Sequence, residues 1–238
     1  MFKKLAISSA IAMAALSTAN AAMINEIEPN PAGQDPSTQF VELLGDVNTA
    51  YTGTLLSIES DGGSSTGRVD RIYDISGNFD SNGLLTVSIG DLENPSNTLI
   101  LMDSFSGDTT TDIDLDNDGV ADNLATFGVV EDALGVSDNN SDYFYGDDFG
   151  GVNLTNVGGE PTLTFRDANS LDWVQIVGGT AYNAAGEELD SALFNLDPAG
   201  STFGAVNPEY APVPVPAAVW LMLSGLGVVA GVRRKKKA

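Results

Sequence analysis

The 238-residue sequence carries 33 acidic and 10 basic side chains, with neither cysteine nor histidine. A formal charge of −23 repels nucleic acid and anionic lipid headgroups and favours divalent cations and basic surfaces, so no nucleic-acid partner is expected. The missing residue types exclude serine–histidine and cysteine–histidine catalysis, histidine-ligated zinc and disulfide cross-links.

At the N-terminus, Met1-Phe2-Lys3-Lys4 precedes an uncharged run from Leu5 to Leu16 and then Ser17-Thr18-Ala19-Asn20-Ala21. A basic start, a short apolar run and the small residues Ala19 and Ala21 predict a signal peptide over 1–21, cut by signal peptidase before Ala22. A run of ~12 apolar residues is too short to cross a hydrocarbon core of ~30 Å. Between this leader and the C-terminal basic cluster, Arg68, Arg71 and Arg166 are the only basic residues. The central region therefore carries about 30 net negative charges. Solubility in a salty medium, which screens self-repulsion within ~8 Å, is the plainer use of that charge.

Short apolar runs then recur between Gly, Asn, Asp, Ser and Pro: 24–27, 40–44, 54–58, 69–75, 84–89 and 98–102, followed by 143–145, 163–165 and 173–177. Runs this short, bounded by turn residues, predict strands. In the third, Leu56 and Ile58 share one face, whereas Leu84, Val87 and Ile89 do not alternate cleanly. About nine strands predict an all-β fold with an antiparallel sandwich over 22–206. A chain of roughly 190 residues buries about 70% of its unfolded surface and needs no cross-links. Within 22–206, helices are expected only over 126–134, where Phe127, Val130 and Leu134 follow a helical spacing, and over 186–194.

An acidic stretch interrupts the strands, within an insertion spanning about 108–142. Asp112, Asp114, Asp116, Asp118 and Asp122 alternate with other residues, and Gly119 follows Asp118. Calcium takes six to eight oxygens from a tight loop. Counted from Asp114, Asp116 and Asp118 hold the third and fifth positions, Gly119 the turn, Val120 offers its carbonyl, and Asp122 is ninth. The twelfth position is Ala125 rather than a bidentate acid. Asp112, or a more distant acid such as Glu131 or Asp132, is the candidate for completing the shell. The pattern resembles the calcium loops of thrombospondin type-3 repeats and dockerins as much as an EF-hand. Calcium is the expected cofactor, at roughly 10⁻⁴ to 10⁻³ M; a solvated acidic loop is the alternative. Tyr143 and Tyr145 on one strand face, flanked by acids, would make a sugar platform or a core edge. Trp173, among Val174, Ile176 and Val177, reads as core.

The C-terminal end begins with prolines at 208, 212, 214 and 216, which predict an extended spacer over 207–216. Ala217 to Val232 is uncharged and is followed by Arg233-Arg234-Lys235-Lys236-Lys237, which should stay cytoplasmic. A hydrophobic helix over 217–238, short for a permanent span, is expected.

Val213-Pro214-Val215-Pro216-Ala217-Ala218-Val219-Trp220-Leu221, with the Gly-rich apolar run and Arg233-Arg234, resembles the PEP-CTERM class of bacterial sorting tails. Val215 stands where the class name implies Glu. The resemblance implies transient inner-membrane anchoring, removal of the tail by an exosortase-type sorting enzyme, and release to the cell surface or exopolysaccharide matrix. An uncut anchor is the alternative. Ile24-Asn25-Glu26-Ile27 with Asn30-Pro31, then Phe40-Val41-Glu42-Leu43, resembles the opening of the lamin-tail domain of bacterial surface proteins. The stretch 154–160, then 162–169 and Trp173-Val174, is similar to that family's late hairpin. Phe40 replaces the family's usual Trp, and the third strand lacks its Gly-Trp pair. The likeness implies an immunoglobulin-like sandwich that binds or supports without catalytic residues. An extracellular carbohydrate-active hydrolase, working with two carboxylates ~5 to 9 Å apart, is the competing expectation.

Overall fold

The structure, a computed structural model, describes residues 22–31, 36–92 and 96–212. The strands are β1 (Met23–Ile27), β2 (Thr38–Leu44), β3 (Ala50–Glu59), β4 (Val69–Asn78), β5 (Leu84–Gly90), β6 (Asn97–Met102), β7 (Val130–Val136), β8 (Val152–Asn153), β9 (Leu163–Arg166), β10 (Trp173–Val177), β11 (Thr180–Asn183) and β12 (Glu188–Leu189). They form one sheet in the order β12-β11-β10-β9-β1-β2-β5 and a second in the order β4-β3-β6-β7-β8. Every pairing is antiparallel except the short β7–β8 contact. Ile24, Ile27, Val41 and Leu43 of the first sheet share one buried cluster with Leu55, Leu99, Leu101, Leu134 and Val136 of the second. The fold is thus all-β and sandwich-like.

Ile24 and Ile27 lie three residues apart, a spacing that regular pleating would send to opposite faces. The β1–β2 register shifts between Ile24 and Glu26, and that bulge lets both isoleucines reach the core. In β5 the inward residues are Leu85, Val87 and Ile89, with Thr86, Ser88 and Gly90 exposed, so the alternation is regular once Leu85 replaces Leu84 as its start.

The second sheet is covered on both faces, which explains why β6 is buried at all six positions. Leu55, Leu99 and Leu101 point to the shared core, whereas Leu56, Ile58, Ile100 and Met102 join a second cluster on the opposite face. The 103–129 connection roofs that cluster with Ile113, Phe105 and Phe127, and Tyr145 and Phe149 add to it. Phe127 meets Phe105 edge-on and stacks on Phe149, each with ring centroids 5.4 Å apart.

Three expected elements differ. The predicted 126–134 helix is instead a turn leading into β7. Phe127 and Leu134 enter clusters on opposite faces of the sheet, so their helical spacing was coincidental. The 186–194 helix is replaced by β12 and a single 3₁₀ turn over Ser191–Leu193. The 143–145 run is irregular rather than a strand.

After that turn the chain crosses the outer face of the first sheet as a strap. Phe194 covers Leu163, Phe165, Val174 and Ile176, and its ring lies 5.0 Å from that of Tyr210. The first residues of the proline-rich stretch belong to this strap, not to a free spacer. Asn207 and Pro208 are buried, the Asn207 amide donates to the carbonyls of Asn25 and Arg166, and the Tyr210 N–H donates to Asp167. The reason is local: buried carbonyls on β1 and β9 need a donor, and Asn207 supplies it. The expected leader with Ala19 and Ala21, and the tail with Val213, Pro214, Val215, Pro216, Arg233 and Arg234, lie outside the described residues.

Candidate metal centre

The acidic motif is positioned by the roof. Residues 111–113 run antiparallel beside 67–69: the Val69 N–H donates to Thr111 O at 2.9 Å and the Ile113 N–H to Gly67 O at 2.8 Å. Ile113 is fully buried and anchors the segment in the second cluster. Gly67 has φ +80°, and a Cβ there would stand 2.7 Å from that of Asp114, so only glycine allows the approach.

From this anchor the chain turns sharply, with Asn117 at φ +56° and Gly119 at φ +86°. Asp114, fully buried, organises the turn: its Oδ1 accepts the Asp118 N–H at 3.0 Å, and its Oδ2 accepts the Gly119 N–H at 2.8 Å and the Tyr145 hydroxyl at 2.9 Å. The exposed Asp116 and Asp118 face the same space, and one oxygen from each of Asp114, Asp116 and Asp118 lies within 4.8 Å of the others. Asp118 above all, then partial desolvation, Asp122 and Asp114, hold the Asp116 carboxyl above its ordinary range. Burial, then the bond to Asp114, raises the Tyr145 hydroxyl, which stays a neutral donor. A hard cation suits such a donor set: three converging carboxylates, with carbonyls and water to complete the shell.

The other predicted ligands are placed differently. Asp112 accepts the Asp114 N–H at 3.1 Å and lies 3.8 Å from Arg68. Asp122 accepts the Leu115 N–H at 3.3 Å, and the Val120 N–H caps Asp118 at 3.0 Å. Neither Glu131 nor Asp132 completes the shell. Both lie on β7, where Glu131 accepts from Ala22 and Tyr51, and Asp132 pairs with Arg166. The acid that does reach the loop is Asp148, whose Oδ2 accepts the Ala121 N–H at 3.0 Å. Tyr145 and Gly67 were also missed by sequence reasoning. Tyr143 and Tyr145 do not form a shared aromatic platform: Tyr145 is buried against Asp114, while Tyr143 is 37% exposed with its ring over Gly119. Trp173 is buried in the shared core as expected.

A second acidic group, Asp61, Asp138 and Asp142, also converges within 4.8 Å. Asp142 accepts from the hydroxyls of Ser96 at 2.6 Å and Ser137 at 3.3 Å, so it fixes the 137–142 turn. Burial raises the Asp138 carboxyl, and Asp142 adds to the rise against the lowering effect of Ser96.

Tyr145→Phe should lower stability by about 1.5 kcal/mol, the worth of a buried hydrogen bond to a charged group. Chemical denaturation checks this, and a wild-type midpoint would show that the bond contributes nothing.

No family model, curated protein or solved structure matches the chain.

Proposed function

We propose that the chain is a noncatalytic protein exported to the cell surface or extracellular matrix. Calcium steadies its acidic loop, and an exosortase-type enzyme removes its tail. The observation that carries this reading is the layout of charge along the sequence. A cysteine-free domain with about 30 net negative charges stands between two uncharged apolar runs, each with a basic outer end. Calcium would be held by Asp114, Asp116 and Asp118, where it would neutralise three mutually repelling carboxylates. The sandwich is read as lamin-tail-like and immunoglobulin-like. Supporting this, β1 pairs with both β2 and β9, and β9 pairs with β10, which brings together the segments that carry the resemblance. Its acidic surface would be retained among exopolysaccharide or other envelope components through cation bridges.

Intact mass of the protein recovered from medium and from membranes tests the reading. The expected species lacks residues 1–21 and everything after about Pro216. A full-length C-terminus confined to the membrane fraction overturns tail removal and leaves an anchored module.

A further inference from the structure

The outer face of the first sheet carries an unusual row. Phe165, Glu26, Glu42 and Thr86 are successive cross-strand partners on β9, β1, β2 and β5. Glu26 and Glu42 are both fully buried beneath strap residues 201–207. Two adjacent buried carboxylates cost several kcal/mol if both are ionised and unpaired.

The hydrogen bonds distinguish the two. Glu42 accepts three donors: the Asn25 amide at 2.8 Å, the Thr86 hydroxyl at 2.9 Å and the Gly204 N–H at 2.6 Å. It needs no proton. Glu26 accepts the Thr202 N–H on Oε1 at 2.7 Å, and its Oε2 lies 2.7 Å from the Thr202 hydroxyl. That hydroxyl also lies 2.9 Å from Asn207 Oδ1. The orientation of the Asn207 amide is fixed, because its nitrogen donates to the carbonyls of Arg166 at 2.8 Å and Asn25 at 3.2 Å. A hydroxyl has one proton to give. With Glu26 ionised, that proton must serve two acceptors. With a proton on Glu26 Oε2, the chain Glu26 Oε2–H to Thr202 Oγ1, and Thr202 Oγ1–H to Asn207 Oδ1, gives each of these contacts its own proton.

We infer that Glu26 is a neutral carboxylic acid in the closed protein and acts as a proton-operated latch: loss of its proton to solvent frees the 201–207 strap from the sheet. Burial above all, with the Glu42 charge pushing the same way, raises the Glu26 carboxyl above its ordinary value against the lowering hydrogen bonds of Thr202 and Ser201. Around it, Glu28 follows the end of β1, and β9 presents the uncharged Phe165. Arg166 is committed to Asp132, and β5 offers Thr86. The contacting strap residues, Ser201, Thr202, Gly204 and Asn207, are uncharged, and the strap's own acids are Asp197 and Glu209. A carboxyl whose folded pKa is raised adds stability below its unfolded pKa, and this is lost as pH rises through the folded value. The strap is therefore tightest in acid.

Hydrogen exchange of peptides covering 201–207, measured from about pH 4 to 8 on the full chain in mild detergent, tests the latch against Glu26→Gln, which mimics the protonated acid. The expected ratio of wild-type to Glu26→Gln exchange starts near unity. It climbs about tenfold per pH unit between the open and closed pKa values and then levels off. A flat ratio, or faster strap exchange in Glu26→Gln than in wild type at neutral pH, overturns the latch. The carboxyl ¹³C shift of Glu26 in the wild-type chain is independent of any variant. Titration at or below the ordinary glutamate value of ~4.3 also overturns it.

Discussion

Replacing Arg166 with leucine should lower the thermal midpoint by roughly 10 °C, from a loss of about 3 to 5 kcal/mol. Of the three arginines between residues 22 and 212, Arg166 is the most enclosed: its side chain is 13% exposed and that of its partner Asp132 is 9% exposed. Its Nη2 reaches both Asp132 oxygens, at 2.8 and 3.0 Å, its Nε donates to Ile24 O at 2.8 Å, and its Nη1 to Leu171 O at 3.0 Å. The guanidinium carbon also sits 4.4 Å from the Trp173 ring centre. Because β9 and β7 belong to different sheets, the pair ties the two halves of the sandwich together. Without Arg166, Asp132 keeps only the N–H groups of Ile24 and Ala133, and the cost is that of a buried charge without its countercharge. The double variant Arg166→Leu/Asp132→Leu should recover much of the loss, since replacing both partners removes the stranded charge. Arg68, with a 54% exposed side chain at 3.8 Å from Asp112, provides the contrast: Arg68→Ala should cost under about 1 kcal/mol. Equal midpoints for the two single variants would show that the inter-sheet pair does not stabilise the fold.

The parts of the fold legible in the sequence were those governed by local periodicity. The runs at 24–27, 40–44, 54–58, 69–75, 84–89, 98–102, 163–165 and 173–177 all fall within strands. Local pattern failed where burial came from far along the chain. Glu26 and Glu42 occupy outward strand positions, yet they are covered by a strap 176 and 162 residues away. β7 was misread because its neighbour Phe127 roofs one face while Leu134 lines the other, which imitates a helical stripe. In the acidic loop, alternating aspartates and the glycine marked the convergence of Asp114, Asp116 and Asp118. Tyr145, 31 residues beyond Asp114, left no such mark, and neither did Gly67. Glu131 and Asp132 were candidates as more distant acids that the fold could return to the loop; the strand they lie on carries them to other partners instead.

Asp114→Ala and Asp116→Ala should differ in kind, and that difference tests the loop as a calcium site. Asp114 is buried and accepts from Asp118, Gly119 and Tyr145, so its removal leaves three donors without their acceptor, at a cost of about 3 kcal/mol already in the absence of calcium, and in calcium it should lose the binding gain as well. Asp116 is exposed and surrounded by like charge, so without calcium its removal should leave stability near wild type. With calcium its removal should cost as well. At 100 times a dissociation constant of about 10⁻⁴ M, bound calcium stabilises by about 2.7 kcal/mol, and Asp116→Ala should lose that gain because a converging carboxylate is gone. Thermal melts in about 10 mM calcium and in chelator, run on wild type and both variants, separate the two roles. Asp114 sets the shape of the turn, and Asp116 matters only when there is a cation for it to neutralise. If calcium moves wild type and Asp116→Ala equally, the three carboxylates do not form a calcium site, and the Asp114 bonds alone account for the loop.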